Sequence, residues 1–139
     1  MVLDCSVTMA WLFMDEANKR TDALLTLAIE QGALVPNLWH LEVANVLTQA
    51  QRRGRISTAQ SAERVALLEQ LPIVVDPETS GRGLREVLAI ATDYQLSSYD
   101  AAYLELAMRH AMPLATVDKT LAKAARKAGT QVLPLPHNK

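Results

Sequence analysis

Four carboxylates stand at positions where a chain built only for stability rarely keeps an acid. Asp4 follows the first apolar run of the chain, and Asp118 follows the apolar run 114–117. Glu42 lies in an otherwise apolar segment, and Asp100 lies at the start of a predicted helix. Charged residues are almost never fully buried unless they are paired. No Lys or Arg lies within three positions of Asp4, Glu42 or Asp100.

These acids together would favour one kind of chemistry. Two carboxylates about 5 Å apart repel by about 3 kcal/mol at an effective dielectric constant near 20. Four such groups stay together only if some take up protons or if a cation neutralises them. A hard divalent ion such as Mg²⁺ or Mn²⁺ supplies that charge and prefers oxygen ligands. It usually keeps several waters, which leaves positions for a phosphate and an attacking hydroxide. The acids therefore predict phosphodiester chemistry.

Each acid also has an ordinary structural explanation when it is taken alone. The helix dipole favours an acid such as Asp100 in a first turn. Asp118 could be only the N-cap of the last helix, and Glu42 could be a partly exposed helix acid. Asp4 is harder to explain in this way, because an acid directly after an apolar strand has few structural uses.

Three neutral residues fit the same site, namely Ser6, Asn45 and Thr116. Ser6 and Thr116 each lie two positions from an acid, and strand geometry reaching that far would point each pair to one side. Asn45 lies three positions after Glu42, on the same face of a helix. Such groups could hold a ligand carboxylate or a metal-bound water. Local capping by Ser6 and core hydrogen bonding by Asn45 explain these residues equally well.

Short apolar runs alternate with longer helical patterns along the chain. Strands are predicted over residues 1–5, 33–35, 73–75, 114–117 and 131–135. Helices are predicted over 18–31, 38–53, 58–71, 83–94, 99–111 and 119–128. The helix over 38–53 carries one side composed of Leu38, Leu41, Ala44, Asn45 and Thr48.

This order of elements predicts an α/β fold. We expect a three-layer α/β/α sandwich with a central, mainly parallel sheet of about five strands. Such sheets place their sites at the carboxyl ends of strands, near a topological switch point. Asp4 and Asp118 follow two of the predicted strands, so both are expected at that edge.

Composition bounds the remaining possibilities. The 139 residues suit one domain spanning 1–139, and the single cysteine, Cys5, excludes a disulfide scaffold. The start of the chain lacks a signal peptide's basic region, and no run of about 18 apolar residues occurs. We therefore expect a cytoplasmic protein that does not associate with membranes.

Any contact with nucleic acid must come from a local patch, since the net charge is −1. One face of the last helix carries Lys119, Lys123, Arg126 and Lys127. That face begins beside Asp118, so it could track phosphates into the site, although a solvated surface explains it equally well. Arg52 and Arg53, at the end of the Glu42 helix, form a second candidate contact, and the helix dipole is the alternative explanation for them.

Five segments of the chain resemble the PIN-domain family, and within it the VapC toxins of bacterial toxin–antitoxin pairs. They are residues 2–13, 35–47, 52–55, 99–104 and 114–121, which include all four acids. The segments run from one end of the chain to the other at the spacing of the family. Cys5 is a departure, because the family more often has Ala there.

The resemblance implies a metal-dependent ribonuclease that hydrolyses RNA phosphodiester bonds, with Mg²⁺, or Mn²⁺ in its place. By the family pattern, Asp4, Glu42, Asp100 and Asp118 form the acidic catalytic site, with Ser6, Asn45 and Thr116 in support. Asp4, Asp100 and Asp118 are the implied metal ligands. The resemblance also implies a homodimer, a cognate antitoxin protein as partner, and structured RNA such as tRNA as substrate.

Two alternatives remain at this stage. The first is a catalytically silent PIN-like module that binds RNA or a protein. The second is a receiver-type signalling domain, with Asp76 as phosphate acceptor and Thr116 as switch hydroxyl. A receiver site normally has an acidic pair after its first strand, whereas Cys5 follows Asp4, and it gives Glu42 and Asp100 no role.

Overall fold

Five short strands form one sheet in the computed structural model, which describes residues 1–13 and 15–135. The strands are β1 (Val2–Leu3), β2 (Ala33–Pro36), β3 (Ile73–Asp76), β4 (Leu114–Ala115) and β5 (Val132–Leu133). Their order across the sheet is β3-β2-β1-β4-β5, and every neighbouring pair is parallel. The predicted parallel sheet of five strands is therefore confirmed.

The two central strands, β1 and β4, are the most deeply buried part of the sheet. Val2, Leu3, Leu114 and Ala115 are fully buried, as expected for parallel strands covered on both faces. The chain leaves β1 toward β2 on one side and returns to its other side as β4. The strand order therefore reverses between β1 and β4, and a crevice is expected at their carboxyl ends.

Helices cover both faces of the sheet and complete the predicted three-layer α/β/α sandwich. They are α1 (Cys5–Leu12), α2 (Lys19–Gln31), α3 (Trp39–Arg52), α4 (Thr58–Glu69), α5 (Thr79–Arg82), α6 (Leu88–Tyr94), α7 (Ser98–His110) and α8 (Lys119–Lys127). Within the described ranges, no helix is long and apolar enough to cross a membrane.

Local capping explains where several helices begin and end. Asn18 and Ser57 each cap a helix in a capping box, which satisfies N–H groups that the first turn leaves free. Ser97 caps α7 by accepting a hydrogen bond from the N–H of Asp100. Gly32 ends α2 at φ 75°, and an added Cβ there would lie 3.0 Å from the carbonyl oxygen of Pro72. The predicted boundaries at these positions agree with the structure.

Two predicted segments, 1–5 and 83–94, differ from the structure in kind or continuity. The strand predicted over 1–5 ends at Leu3, and Cys5 already begins α1, which the sequence did not indicate. The run from Cys5 to Leu12 carries no helical stripe, because most of it is buried on every side. The helix predicted over 83–94 is divided into the π-helical turn Gly83–Val87 and α6.

The side of α3 that carries Leu41, Ala44, Asn45 and Thr48 is not its buried face. Leu41 is 75% exposed, and Ala44, Asn45 and Thr48 are exposed as well. The buried positions are Trp39, Val43, Leu47 and Ala50. This second stripe contains the larger apolar side chains and therefore removes more apolar surface from water.

An ion-pair cluster anchors the end of α7 to β3. The guanidinium of Arg109 donates to both carboxylate oxygens of Asp76, at 3.0 and 2.8 Å, and to both oxygens of Glu105. It also donates to Glu78 at 3.0 Å. These hydrogen bonds from Arg109 hold the pKa of Asp76 well below its usual range. Asp76 is buried and occupied by this pairing, which argues against the receiver-type interpretation.

Candidate active site

All four candidate acids lie where a helix begins. Asp4 is the N-cap of α1 and Asp118 is the N-cap of α8. Glu42 and Asp100 lie in the first turns of α3 and α7. Helix N-termini carry a partial positive charge, which stabilises each nearby carboxylate by about 0.3–1 kcal/mol. The fold therefore supplies a local reason for each acid at the end of its strand or the start of its helix.

Asp4 is the most buried of the four acids and is held by two hydroxyl groups. Its Oδ2 accepts hydrogen bonds from Ser6 Oγ at 2.6 Å and from Thr116 Oγ1 at 2.8 Å. The N–H of Val117 donates to Ser6 Oγ, and the N–H of Asp118 donates to Thr116 Oγ1, each at 3.1 Å. Both hydroxyls are thereby oriented toward the same oxygen.

Ser6 and Thr116 both contact acids in the structure, but strand geometry is not the reason. Ser6 lies in the first turn of α1 and Thr116 lies beyond the end of β4, so strand periodicity places neither of them. The sharp change from strand to helix after Asp4 instead turns Ser6 back onto its carboxylate. Thr116 contacts Asp4, which follows the neighbouring strand β1, and its hydroxyl accepts from the backbone of Asp118.

Asp118 fulfils the capping role that was its alternative explanation. Its Oδ1 accepts a hydrogen bond from the N–H of Leu121 at 2.8 Å. The side chain is exposed at the same edge of the sheet as Asp4, and its charge contributes to raising the pKa of Asp4. The capping bond and the proximity to Asp4 are thus compatible.

Glu42 is joined to α7 by a residue that the sequence analysis did not single out. The phenol of Tyr103 donates to Glu42 Oε1 at 2.6 Å, and Tyr103 is fully buried. Tyr103 lies three positions after Asp100, so both side chains fall on one face of α7. The spacing of Asp100 and Tyr103 was the signal that the sequence offered for Tyr103. Its hydrogen-bond partner, Glu42, lies 61 positions away in the chain.

Charges among the four acids contribute to raising the pKa values of Asp4, Glu42 and Asp100. Burial raises the pKa of Asp4, with Asp118 adding to the rise. Burial also raises the pKa of Glu42, with contributions from Asp4 and Asp100. The pKa of Asp100 is raised to about 6 by burial and by the charges of Asp4 and Asp118. Within residues 1–13 and 15–135, no Lys, Arg or His forms an ion pair with any of the four.

The donor chemistry fits a hard divalent cation. In the part of the chain that the structure describes, no three His, Cys, Asp or Glu side chains stand close enough to hold one ion together. Mg²⁺ does not require such a cage, since it is usually bound by one or two carboxylates and retains several waters. The carboxylates of Asp4, Asp100 and Asp118 supply oxygen donors and an uncompensated negative charge, which are what such an ion needs.

Of the remaining predicted residues, the basic ones on α8 lie on a helix that begins directly after Asp118. Lys119, Lys123, Arg126 and Lys127 are exposed, while Leu121, Ala122, Ala124 and Ala125 of the same helix are buried. Arg52 and Arg53 are also exposed but lie at the opposite end of α3 from Glu42, about 15 Å along its axis. The Asn45 side chain is exposed and makes no hydrogen bond with any described residue, so its predicted supporting role stays a prediction.

An apolar groove of about 400 Å³ lies apart from the acids, between α3 and α4. Trp39, Val43, Leu47 and Leu68 contribute to its lining. None of the four acids lines it.

Comparison with known proteins points to one family. The family model described as PIN domain matches residues 1–127. The chain is 27% identical over 123 residues to Ribonuclease VapC3 of Pyrobaculum aerophilum, an alignment that covers 88% of this chain and 92% of that protein. The crystal structure of PAE2754 from Pyrobaculum aerophilum superposes with a TM-score of 0.69 at 22% identity. That match covers 95% of this chain and 82% of the other, and it supports the fold.

The burial of Asp100 and its repulsion by Asp4 and Asp118 predict an unusual effect of removing its charge. In the presence of a chelator, Asp100→Asn is expected to raise the free energy of unfolding at pH 8 by about 1–2 kcal/mol. The folded-state pKa of about 6 lies above the value of about 3.9 for an unfolded Asp. The charged carboxylate therefore destabilises the fold at high pH, and the benefit of the substitution should disappear below about pH 4.

Urea unfolding at several pH values measures this effect. Asp93→Asn is the matched control, because Asp93 is exposed on α6 and forms no ion pair with any described residue. A stability of Asp100→Asn equal to that of the control at pH 8 would contradict the predicted repulsion.

Proposed function

The chain belongs to the PIN-domain family, and on that basis we propose that it is a metal-dependent endoribonuclease acting as the toxin of a toxin–antitoxin pair. The observation that carries this proposal is the convergence of four acids, without a cationic side-chain partner among the described residues, at the switch point of the sheet. The similarity to a protein named Ribonuclease VapC3 supports the same activity.

In this proposal the carboxylates of Asp4, Asp100 and Asp118 would hold Mg²⁺, or Mn²⁺ as a substitute, in part through waters that the ion retains, since the three do not close around one ion by themselves. The ion would supply a water of lowered pKa and a positive charge beside the scissile phosphate. Ser6 and Thr116 orient Asp4 by binding its Oδ2, so these two hydroxyls leave Oδ1 to the site. Glu42 would hold, through Oε2, a water that the ion retains, which is the attacking water, because Tyr103 occupies Oε1.

The proposed substrate is RNA, with structured molecules such as tRNA as the first candidates. The exposed basic face of α8 begins beside Asp118 and would bind phosphates that lead into the site. We place this activity in the cytoplasm, where RNA substrates are available and where a lone buried thiol such as Cys5 stays reduced.

The nuclease activity is tested by incubating the purified chain with total tRNA or a single-stranded RNA, with Mg²⁺, Mn²⁺ or EDTA. We expect cleavage with either metal and none with EDTA. Asp4→Asn, which keeps the shape and removes the charge, should lower the rate by on the order of 100-fold or more. Asp93→Asn should cleave at the wild-type rate.

Two results would contradict the proposed activity. Cleavage that persists in EDTA or in Asp4→Asn would mean that the acids are not its source. RNA binding without cleavage at any metal concentration, in a folded protein, would support the catalytically silent binding module instead.

The two basic groups can be distinguished by a charge-matched pair of double variants. Lys123→Gln with Lys127→Gln should raise KM for RNA with kcat unchanged, and should reduce the salt slope of RNA binding by about 1–2. Arg52→Gln with Arg53→Gln removes the same charge far from the acids and should have a smaller effect. A larger effect of the Arg52 and Arg53 pair would place the RNA on α3 instead.

The proposed protein partner is an antitoxin, encoded beside this chain, whose C-terminal segment covers the acids with a basic residue. The feature of this chain that supports such a partner is the carboxylate cluster, because a guanidinium binds carboxylates with charge-assisted hydrogen bonds.

Light scattering of the chain alone should give a homodimer, and co-expression with the neighbouring gene should give a complex that no longer cleaves RNA. A complex that retains full cleavage would contradict the role of the partner as an inhibitor.

A further inference from the structure

We infer that Tyr103 is a positioning residue that fixes the carboxylate of Glu42 for divalent-metal binding, an inference that rests on the proposed function. The tyrosine is not part of the acid quartet. Its hydroxyl acts on the site only through Glu42 Oε1, to which it donates at 2.6 Å.

The first argument is the location of the hydroxyl. Tyr103 is fully buried and belongs to the main hydrophobic core. Phenylalanine would fill such a position without a polar atom, and burying a hydroxyl costs free energy unless it finds a partner. Among the described residues, the Tyr103 hydroxyl has one partner, which is Glu42. The hydroxyl is therefore explained by Glu42 and not by packing.

The second argument is the environment of Glu42. Its side chain is half-buried and lies near the negative charges of Asp4 and Asp100. Repulsion from these charges would favour rotamers that turn the carboxylate away, and Glu has enough rotatable bonds to do so. The hydrogen bond from Tyr103 opposes that movement. No described residue donates to Oε2, so this oxygen stays available to the site.

The third argument is the connection between helices. Asp100 and Tyr103 share one face of α7, whereas Glu42 lies on α3. The bond from Tyr103 therefore fixes Glu42 relative to Asp100 through a single rigid helix. Outer groups that orient the ligands and waters of a bound metal typically contribute about 10–100-fold to metal affinity or activity.

The test is Mn²⁺ binding by isothermal titration calorimetry, without RNA. Tyr103→Phe, which removes only the hydroxyl, should bind Mn²⁺ about 10–100-fold more weakly than the wild type. Tyr94→Phe is the matched control, since Tyr94 is a partly buried tyrosine whose hydroxyl bonds to no described residue. In a Glu42→Ala background, Tyr103→Phe should cause no further loss of affinity. In the RNA assay, kcat should fall while KM stays unchanged.

A second measurement uses a protein that retains the hydroxyl at position 103. With 3-fluorotyrosine at position 103, Mg²⁺ should shift the fluorine resonance, and the shift should be absent in Glu42→Ala. Any of three results would overturn the inference. Tyr103→Phe could bind Mn²⁺ with wild-type affinity, it could lose as much Mn²⁺ affinity in the Glu42→Ala background as in the wild type, or Mg²⁺ could leave the fluorine resonance unshifted. In those cases the nuclease proposal would stand, whereas a wild-type chain that binds no Mn²⁺ would overturn both.

Discussion

Repulsion between like charges is the constraint on which the rest of this structure depends. Four carboxylates meet at one edge of a sheet, and no basic side chain in the described ranges pairs with them. The helix N-termini beneath them contribute about 0.3–1 kcal/mol each. A single close pair of carboxylates costs about 3 kcal/mol at an effective dielectric constant near 20. The helix ends alone therefore do not balance the site, and either protons on some of the carboxylates or a cation from solution must supply the remaining charge.

The same chain balances its other buried acids in the ordinary way. Arg109 pairs with Asp76 and Glu105, and its hydrogen bonds lower the pKa of Asp76. In contrast, burial and mutual repulsion raise the pKa of Asp4 and of Asp100. Both kinds of acid are thus present within one small fold. This contrast supports the proposal that the second group is a functional site, because perturbed pKa values cluster at such sites.

Helix α7 connects these two groups of acids. Its first turns carry Asp100 and Tyr103, and its last turn carries Arg109, which is anchored to β3 through Asp76. Functional side chains are held most accurately when they stand on rigid elements whose own packing is fixed. The buried middle of α7, which packs on the central strands, meets that condition. The ion pair at one end of the helix therefore supports the acid site at the other.

Much of this arrangement follows from the sequence alone. Local signals in the sequence, namely apolar runs, helix caps and the acids at their ends, predict the parallel sheet and the order of strands and helices along the chain. They also predict that the four acids lie at strand ends or helix starts. The sequence could not show which stripe of α3 is buried, because two stripes are partly apolar and only packing against the sheet chooses between them. It placed Ser6 and Thr116 near acids but for the wrong reason, since a helix begins at Cys5. The bond from Tyr103 to Glu42 joins residues 61 positions apart, and that from Thr116 to Asp4 joins residues 112 apart. Contacts of this kind depend on how separate elements pack together, so only the tertiary structure decided them.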